Sequence, residues 1–225
     1  MKLFIFDLDG TLLNTLPTIA HYGNAALEKN GLSPYPIDDY KAFIGDGRDE
    51  LIHRMLKGQN IDTPQMFLKV GGDYDAAYEN DTLYLTEPYN NINIMLNTLK
   101  EKGIKLAVLS NKPDNVAKMV VEKVFPDVFE IVWGKKEKYP TKPDPTSVLA
   151  LMEKLGVERC DTAFVGDTNV DIKTGKAAGL FAVGVSWGFR GRDELIDAGC
   201  DMLQGYYYYR PMPVTQLEKV FGSIE

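Results

Sequence analysis

The stretch 2–15, KLFIFDLDGTLLNT, constrains this chain more than any other. Its apolar run over 3–6, rich in aromatic and β-branched residues, suits a buried strand. Two carboxylates, Asp7 and Asp9, follow at i and i+2, and then Gly10 and Thr11. A strand this apolar belongs in the middle of a sheet covered on both faces, which is the parallel arrangement. Ligands of such sheets bind beyond the carboxyl ends of the strands, where Asp7 and Asp9 fall. Two like charges at a buried edge require a cation or a proton between them. A bare D-x-D is equally consistent with a polar turn, so the partners found downstream decide the reading.

Past this stretch the pattern turns helical. The spacing of apolar residues predicts helices over 16–30, 37–44, 48–56 and 64–79, punctuated by Asn30-Gly31, Pro34, Pro36 and Gly45-Asp46-Gly47. No convincing strand interrupts them, so residues 15–84 read as an all-helical insert. From Pro88 onward short apolar strands (104–109, 130–133, 162–165, 180–185) alternate with helices (92–102, 116–124, 146–155, 169–178). That alternation is the signature of βαβ units and a parallel sheet. The expected architecture is α/β, a Rossmann-like parallel core from residues 1–14 and 85–225 with an α-helical cap domain at 15–84. Tyr206 to Tyr209, four tyrosines in a row, is the oddest local composition and reads as an edge strand with one packed face.

Four elements carry candidate chemistry, each just after a predicted strand. The first is Asp7 to Thr11. The second is Ser110-Asn111, whose hydroxyl and amide suit phosphate oxygens but also suit a helix cap. The third is Lys142 in TKPDP, a lysine held between prolines. The fourth is Gly166-Asp167-Thr168-Asn169-Val170-Asp171, where an acid could equally cap the next helix. In this order and placement they resemble the haloacid dehalogenase superfamily of phosphohydrolases, over the whole chain. The insert is similar to that family's small helical cap. IGDGRDEL (44–51), TEPYNNI (86–92) and VSWGFRGRDELIDAGCD (185–201) are most similar to its phosphoglycolate phosphatase-like members.

The resemblance implies a Mg²⁺ site made by the Asp7 side chain, the Asp9 main-chain carbonyl and Asp167, with Asp171 supporting that shell or a nearby lysine. It implies Asp7 as nucleophile, forming an aspartyl-phosphate, and Asp9 as general acid and then base. Ser110, Lys142 and backbone groups near Gly10 and Thr11 would hold the transferring oxygens. The physics agrees, because a phosphate dianion repels a carboxylate unless a hard cation lies between them. Family branches that cleave carbon–halogen bonds lack an acid at the position of Asp9, so its presence favours a phosphatase or phosphomutase. Asn14 departs from the Asp often found there in relatives.

In the insert, Gly45, Asp46, Gly47 and Arg48 form a candidate specificity loop, with Arg48 placed to pair with a substrate carboxylate. The competing reading puts Arg48 on a solvated helix face and makes Asp46 a cap. His21 and His53, isolated in predicted insert helices, read as surface or packing residues rather than metal ligands, and Arg190 either adds positive potential near the cleft or is structural. Charge bounds the partners. Net charge −7 and pI near 5.0 argue against attraction to nucleic acid or an anionic membrane. The first apolar run carries Asp7 and no signal-peptide pattern, and two cysteines make no disulfide framework. The expectation is a cytoplasmic monomer or homodimer acting on a small phosphorylated metabolite, with 2-phosphoglycolate the leading substrate. Sugar phosphates, nucleotides, pyrophosphate, β-phosphoglucomutase-like phosphoryl transfer and a non-enzymatic acidic binding module are the alternatives.

Overall fold

The computed structural model describes residues 1–205, and the Tyr206 to Tyr209 run lies outside the described residues. Strand β1 (Leu3–Phe6) occupies the middle of a six-stranded parallel sheet. Its neighbours are β4 (Lys105–Pro113), followed outward by β5 (Ile131–Lys135), and on the other side β6 (Thr162–Gly166). Beyond β6 come β7 (Phe181–Val185) and a short edge strand, β8 (Met202–Gln204). The chain builds outward from β1 to β5, then returns to β1's other edge with β6. The carboxyl end of β1 is therefore the switch point at which such sheets open a crevice.

Alternation along β1 explains why it is central. Leu3 and Ile5 face a core with Leu109, Phe164 and three residues of α7 (Thr146–Leu155): Val148, Leu151 and Met152. Phe6 faces the opposite core, with Leu96 of α5 (Ile92–Glu101) and Val116 and Val120 of α6 (Asp114–Val124). Both faces are covered, as a run of apolar residues in a strand requires.

The predicted helical block is present as α1 (Leu16–Lys29), α2 (Tyr40–Phe43), α3 (Arg48–Lys57) and α4 (Pro64–Asn80), with a 3₁₀ turn at Ile37–Asp39. Two paired strands that the sequence reading did not anticipate flank it. They are β2 (Leu13–Asn14) and β3 (Glu87–Pro88), antiparallel, with Leu13 opposite Pro88. Also unanticipated are α9 (Arg192–Asp197) and β8. The strand expected over 104–109 runs on to Pro113, with its register against β5 shifting between Leu109 and Pro113. Ser110 and Asn111 are thus the irregular end of a strand rather than the loop after it. Helix α8 (Asn169–Ala177) begins at Thr168, with Asp171 closing a capping box, so Asp167 is not its cap. Among the described residues no helix is long and apolar enough to cross a membrane.

Candidate active site

Asp7 is the first residue past β1, and its N–H still donates to Val165 O at 2.9 Å, prolonging the pairing with β6. The chain then turns tightly, with Gly10 N donating to Leu13 O at 2.8 Å and Leu12 N to Leu8 O at 3.0 Å. Gly10 has φ +86°, and a Cβ there would stand 2.3 Å from an Asp167 carboxylate oxygen. Only glycine satisfies both the turn and the approach of that acid.

Asp7, Asp167 and Asp171 each place a carboxylate oxygen within 4.8 Å of the others, and all three are buried. One ammonium faces them. Lys142 Nζ lies 2.7 Å from Asp171 Oδ1 and 2.9 Å from Asp7 Oδ1. Both contacts are buried ion pairs on the same ammonium. Burial would lower the Lys142 pKa, but Asp171 and Asp7 outweigh it and hold the lysine charged. Burial, with some repulsion from Asp171, pushes Asp7 up to about 7 against the pull of Lys142. Asp167 is raised well above its ordinary value, again mainly by burial and then by Asp171 and Asp7. One lysine does not balance three buried carboxylates, so without a further cation Asp7 and Asp167 favour their protonated forms. Asp171 is fully engaged, Oδ1 by Lys142 and Oδ2 by Thr168 N and Oγ1 at 3.1 and 2.8 Å. Asp7 shares that lysine with Asp171. That arrangement fits a hard divalent cation.

Asp7 and Asp9 line a cavity of about 390 Å³ whose other walls include Ser110 and Asn111 from β4, Arg48 from α3, and Tyr74 and Tyr78 from α4. Ser110 Oγ accepts from Lys112 N at 3.3 Å. Several of the expected binding residues also bond within the protein. Thr11 Oγ1 donates to Asp167 Oδ1 at 2.8 Å, which fixes that carboxylate from one side while Phe189 N fixes it from the other. The Asn111 amide accepts from Lys142 N at 2.9 Å and donates to the carbonyls of Lys142 and Gly45, both at 3.2 Å. It sets the lysine's backbone and ties the core to the helical block.

The 45–48 loop is divided in the same way. Gly47 has φ +96°, and a Cβ there would come within 3.1 Å of Asn111 O, so the close backbone approach is to the end of β4. Asp46 pairs with Arg54. Arg48 donates Nε and Nη2 to the two oxygens of Asp75 at 2.9 and 2.7 Å, and Nη1 to Asp49 at 3.0 Å. His53 bonds Asp62 and stacks on Phe67, His21 packs on Tyr84, and Arg190 binds the carbonyls of Lys41 and Ile44. Lys112 and Tyr78 went unrecognised in the sequence. Lys112 is a buried lysine whose ammonium contacts Asp9 and the Tyr78 hydroxyl. Its only signal was its place three residues past an apolar run, before a proline, the context that also surrounds Lys142.

Residues 4–185 match the family profile of haloacid dehalogenase-like hydrolases. The phosphoglycolate phosphatase of Neisseria meningitidis is 33% identical over 188 residues, covering 82% of this chain and 80% of the relative. That of Aquifex aeolicus is 35% identical over 191 residues, covering 84% and 86%. A solved structure from Lactobacillus delbrueckii subsp. bulgaricus superposes over 97% of each chain with a TM-score of 0.86 at 27% identity. The chain belongs to the haloacid dehalogenase-like hydrolase family.

Proposed function

We propose that this protein is a Mg²⁺-dependent phosphatase of small phosphate monoesters, with 2-phosphoglycolate as its substrate. One observation carries the reading. Asp7, Asp167 and Asp171 bring buried carboxylate oxygens within 4.8 Å of one another beside a cavity that Asp7 and Asp9 line, with the Lys142 ammonium 2.9 Å from Asp7. The relatives named above carry the choice of phosphoglycolate.

In this reading the metal is held by the Asp7 and Asp167 carboxylates and the Asp9 main-chain carbonyl. Bound Mg²⁺ supplies positive charge between the nucleophile and the phosphate dianion. Asp7 attacks phosphorus, and the bond from phosphorus to the ester oxygen breaks as Asp9 hands that oxygen a proton. Asp9 then takes a proton from water, which attacks the phosphorylated Asp7, releases inorganic phosphate and restores the carboxylate. Lys142 and Ser110 steady the phosphoryl oxygens, and Asp171 keeps Lys142 in place. Residues 15–84 act as a cap that shields this chemistry from water over a core of 1–14 and 85–225.

The test is phosphate release from 2-phosphoglycolate, hexose phosphates, nucleotides and pyrophosphate, with Mg²⁺ and with EDTA, beside Asp7→Asn. Metal-dependent release that is best on 2-phosphoglycolate and abolished in Asp7→Asn is expected. Interconversion of hexose phosphates without net release would instead assign a phosphomutase, and Mg²⁺ binding without turnover a binding module.

A further inference from the structure

The cavity holds two cations, and they differ in what surrounds them. Arg48 has its guanidinium donors on Asp75 and Asp49, lies over the Phe67 ring at 5.3 Å, and backs onto Gly71, where a Cβ would meet Nη2 at 2.3 Å. A substrate carboxylate would have to displace two acids to reach it. Lys112 is buried at the meeting of β4 and α4. Its ammonium lies 3.1 and 3.2 Å from the two Asp9 oxygens, 2.8 Å from the Tyr78 hydroxyl and 4.7 Å above that ring.

Resting on the phosphatase reading, we propose that Lys112 determines specificity, its ammonium receiving a second anionic group, a carboxylate, carried on the ester carbon of the substrate. Reach favours Lys112. Asp9 must come within about 3 Å of the ester oxygen to hand it a proton. Lys112 Nζ is 3.1 Å from Asp9 Oδ1, so the ammonium is at most about 6 Å from the ester oxygen. A carboxylate on the ester carbon, about 3 Å from the ester oxygen, comes within hydrogen-bond reach of an ammonium placed there. A lysine suits the task because its compact ammonium, on a flexible stem, can exchange one anionic partner for another. In a dry pocket such a charge-assisted bond discriminates strongly against an ester that cannot make it. Tyr78 holds the ammonium from the α4 side throughout.

The experiment compares kcat and KM for two esters of equal carbon count, 2-phosphoglycolate and ethyl phosphate, in wild type and Lys112→Met. The variant should lose about 100-fold in kcat/KM on 2-phosphoglycolate, chiefly through KM, and under about tenfold on ethyl phosphate. Lys112→Gln, which keeps hydrogen-bonding atoms beside Asp9 and Tyr78, should collapse the ratio in the same way, and it serves where Lys112→Met does not fold. Equal losses on both esters would overturn the inference, because Lys112 would then only position Asp9. An unchanged ratio would overturn it too. Hydrolysis of ethyl phosphate but not of 2-phosphoglycolate by wild type would overturn the inference as well, whereas release of phosphate from no ester at all would instead sink the phosphatase reading before any variant is made.

Discussion

The floor and the roof of the cavity are both crowded with charge, but only the roof is balanced. On the roof, Arg48 answers Asp75, Lys135 answers Asp49, and Arg54 answers Asp46. On the floor, Asp7 and Asp171 share Lys142, and Asp167 adds a third buried carboxylate beside them. Matched charges are what a folded surface needs for itself. Unmatched buried charge is unfavourable in the isolated protein, and it persists where a ligand completes it. Counting charges on each wall therefore separates the chemistry from the scaffold better than the mere presence of acids and bases does.

The comparison can be broken first at Lys142. Replacing it by Met leaves two buried carboxylates without their cation, so turnover should fall by about a thousandfold. Unfolding free energy should drop by about 3–5 kcal/mol. Steady-state kinetics and denaturant unfolding check both, and a variant as stable as wild type would show the floor to be less strained than its charges imply. A smaller effect sharpens the same point. In EDTA, Asp7, raised from 3.8 to about 7, binds its proton more tightly folded than unfolded. Stability should therefore decline as pH rises from about 4 to about 7, and excess Mg²⁺ should flatten that slope, as melting curves would record. The roof should give least. Arg48→Ala removes a partly exposed pair and its contact with Phe67, costing about 1–2 kcal/mol and changing kcat/KM for 2-phosphoglycolate by a few-fold at most. A hundredfold rise in KM there would return Arg48 to the role the sequence first suggested for it.

Much of this molecule is legible in its residues. The LFIF run fixed β1 as a central strand because apolar side chains on both faces admit no other placement. The helices of the insert followed from their 3.6-residue spacing, and Leu16–Lys29 and Pro64–Asn80 begin and end within a residue of expectation. Strands β2 and β3 escaped because two residues carry no period, and β8 because Met202 and Gln204 are exposed. The candidate site divides similarly. Asp7, Asp9, Ser110 and Asp167 stand at strand ends, where position alone suggests purpose. Asn111, Thr11 and Arg48 were assigned to substrate because sequence shows a side chain's chemistry and not its partners. Lys112 was missed for the same reason, since its two partners lie 103 and 34 residues away.

The β2–β3 ribbon has a consequence for how such proteins diversify. Asn14 and Glu87 face each other, so the helical block leaves and returns at adjacent points of this two-stranded ribbon. Whatever is spliced between them adds length without shifting the register of β1 against β4 or β6. The ribbon works as a socket, and a helical block of another size could be exchanged there while Asp7 and Asp9 stay where β1 puts them.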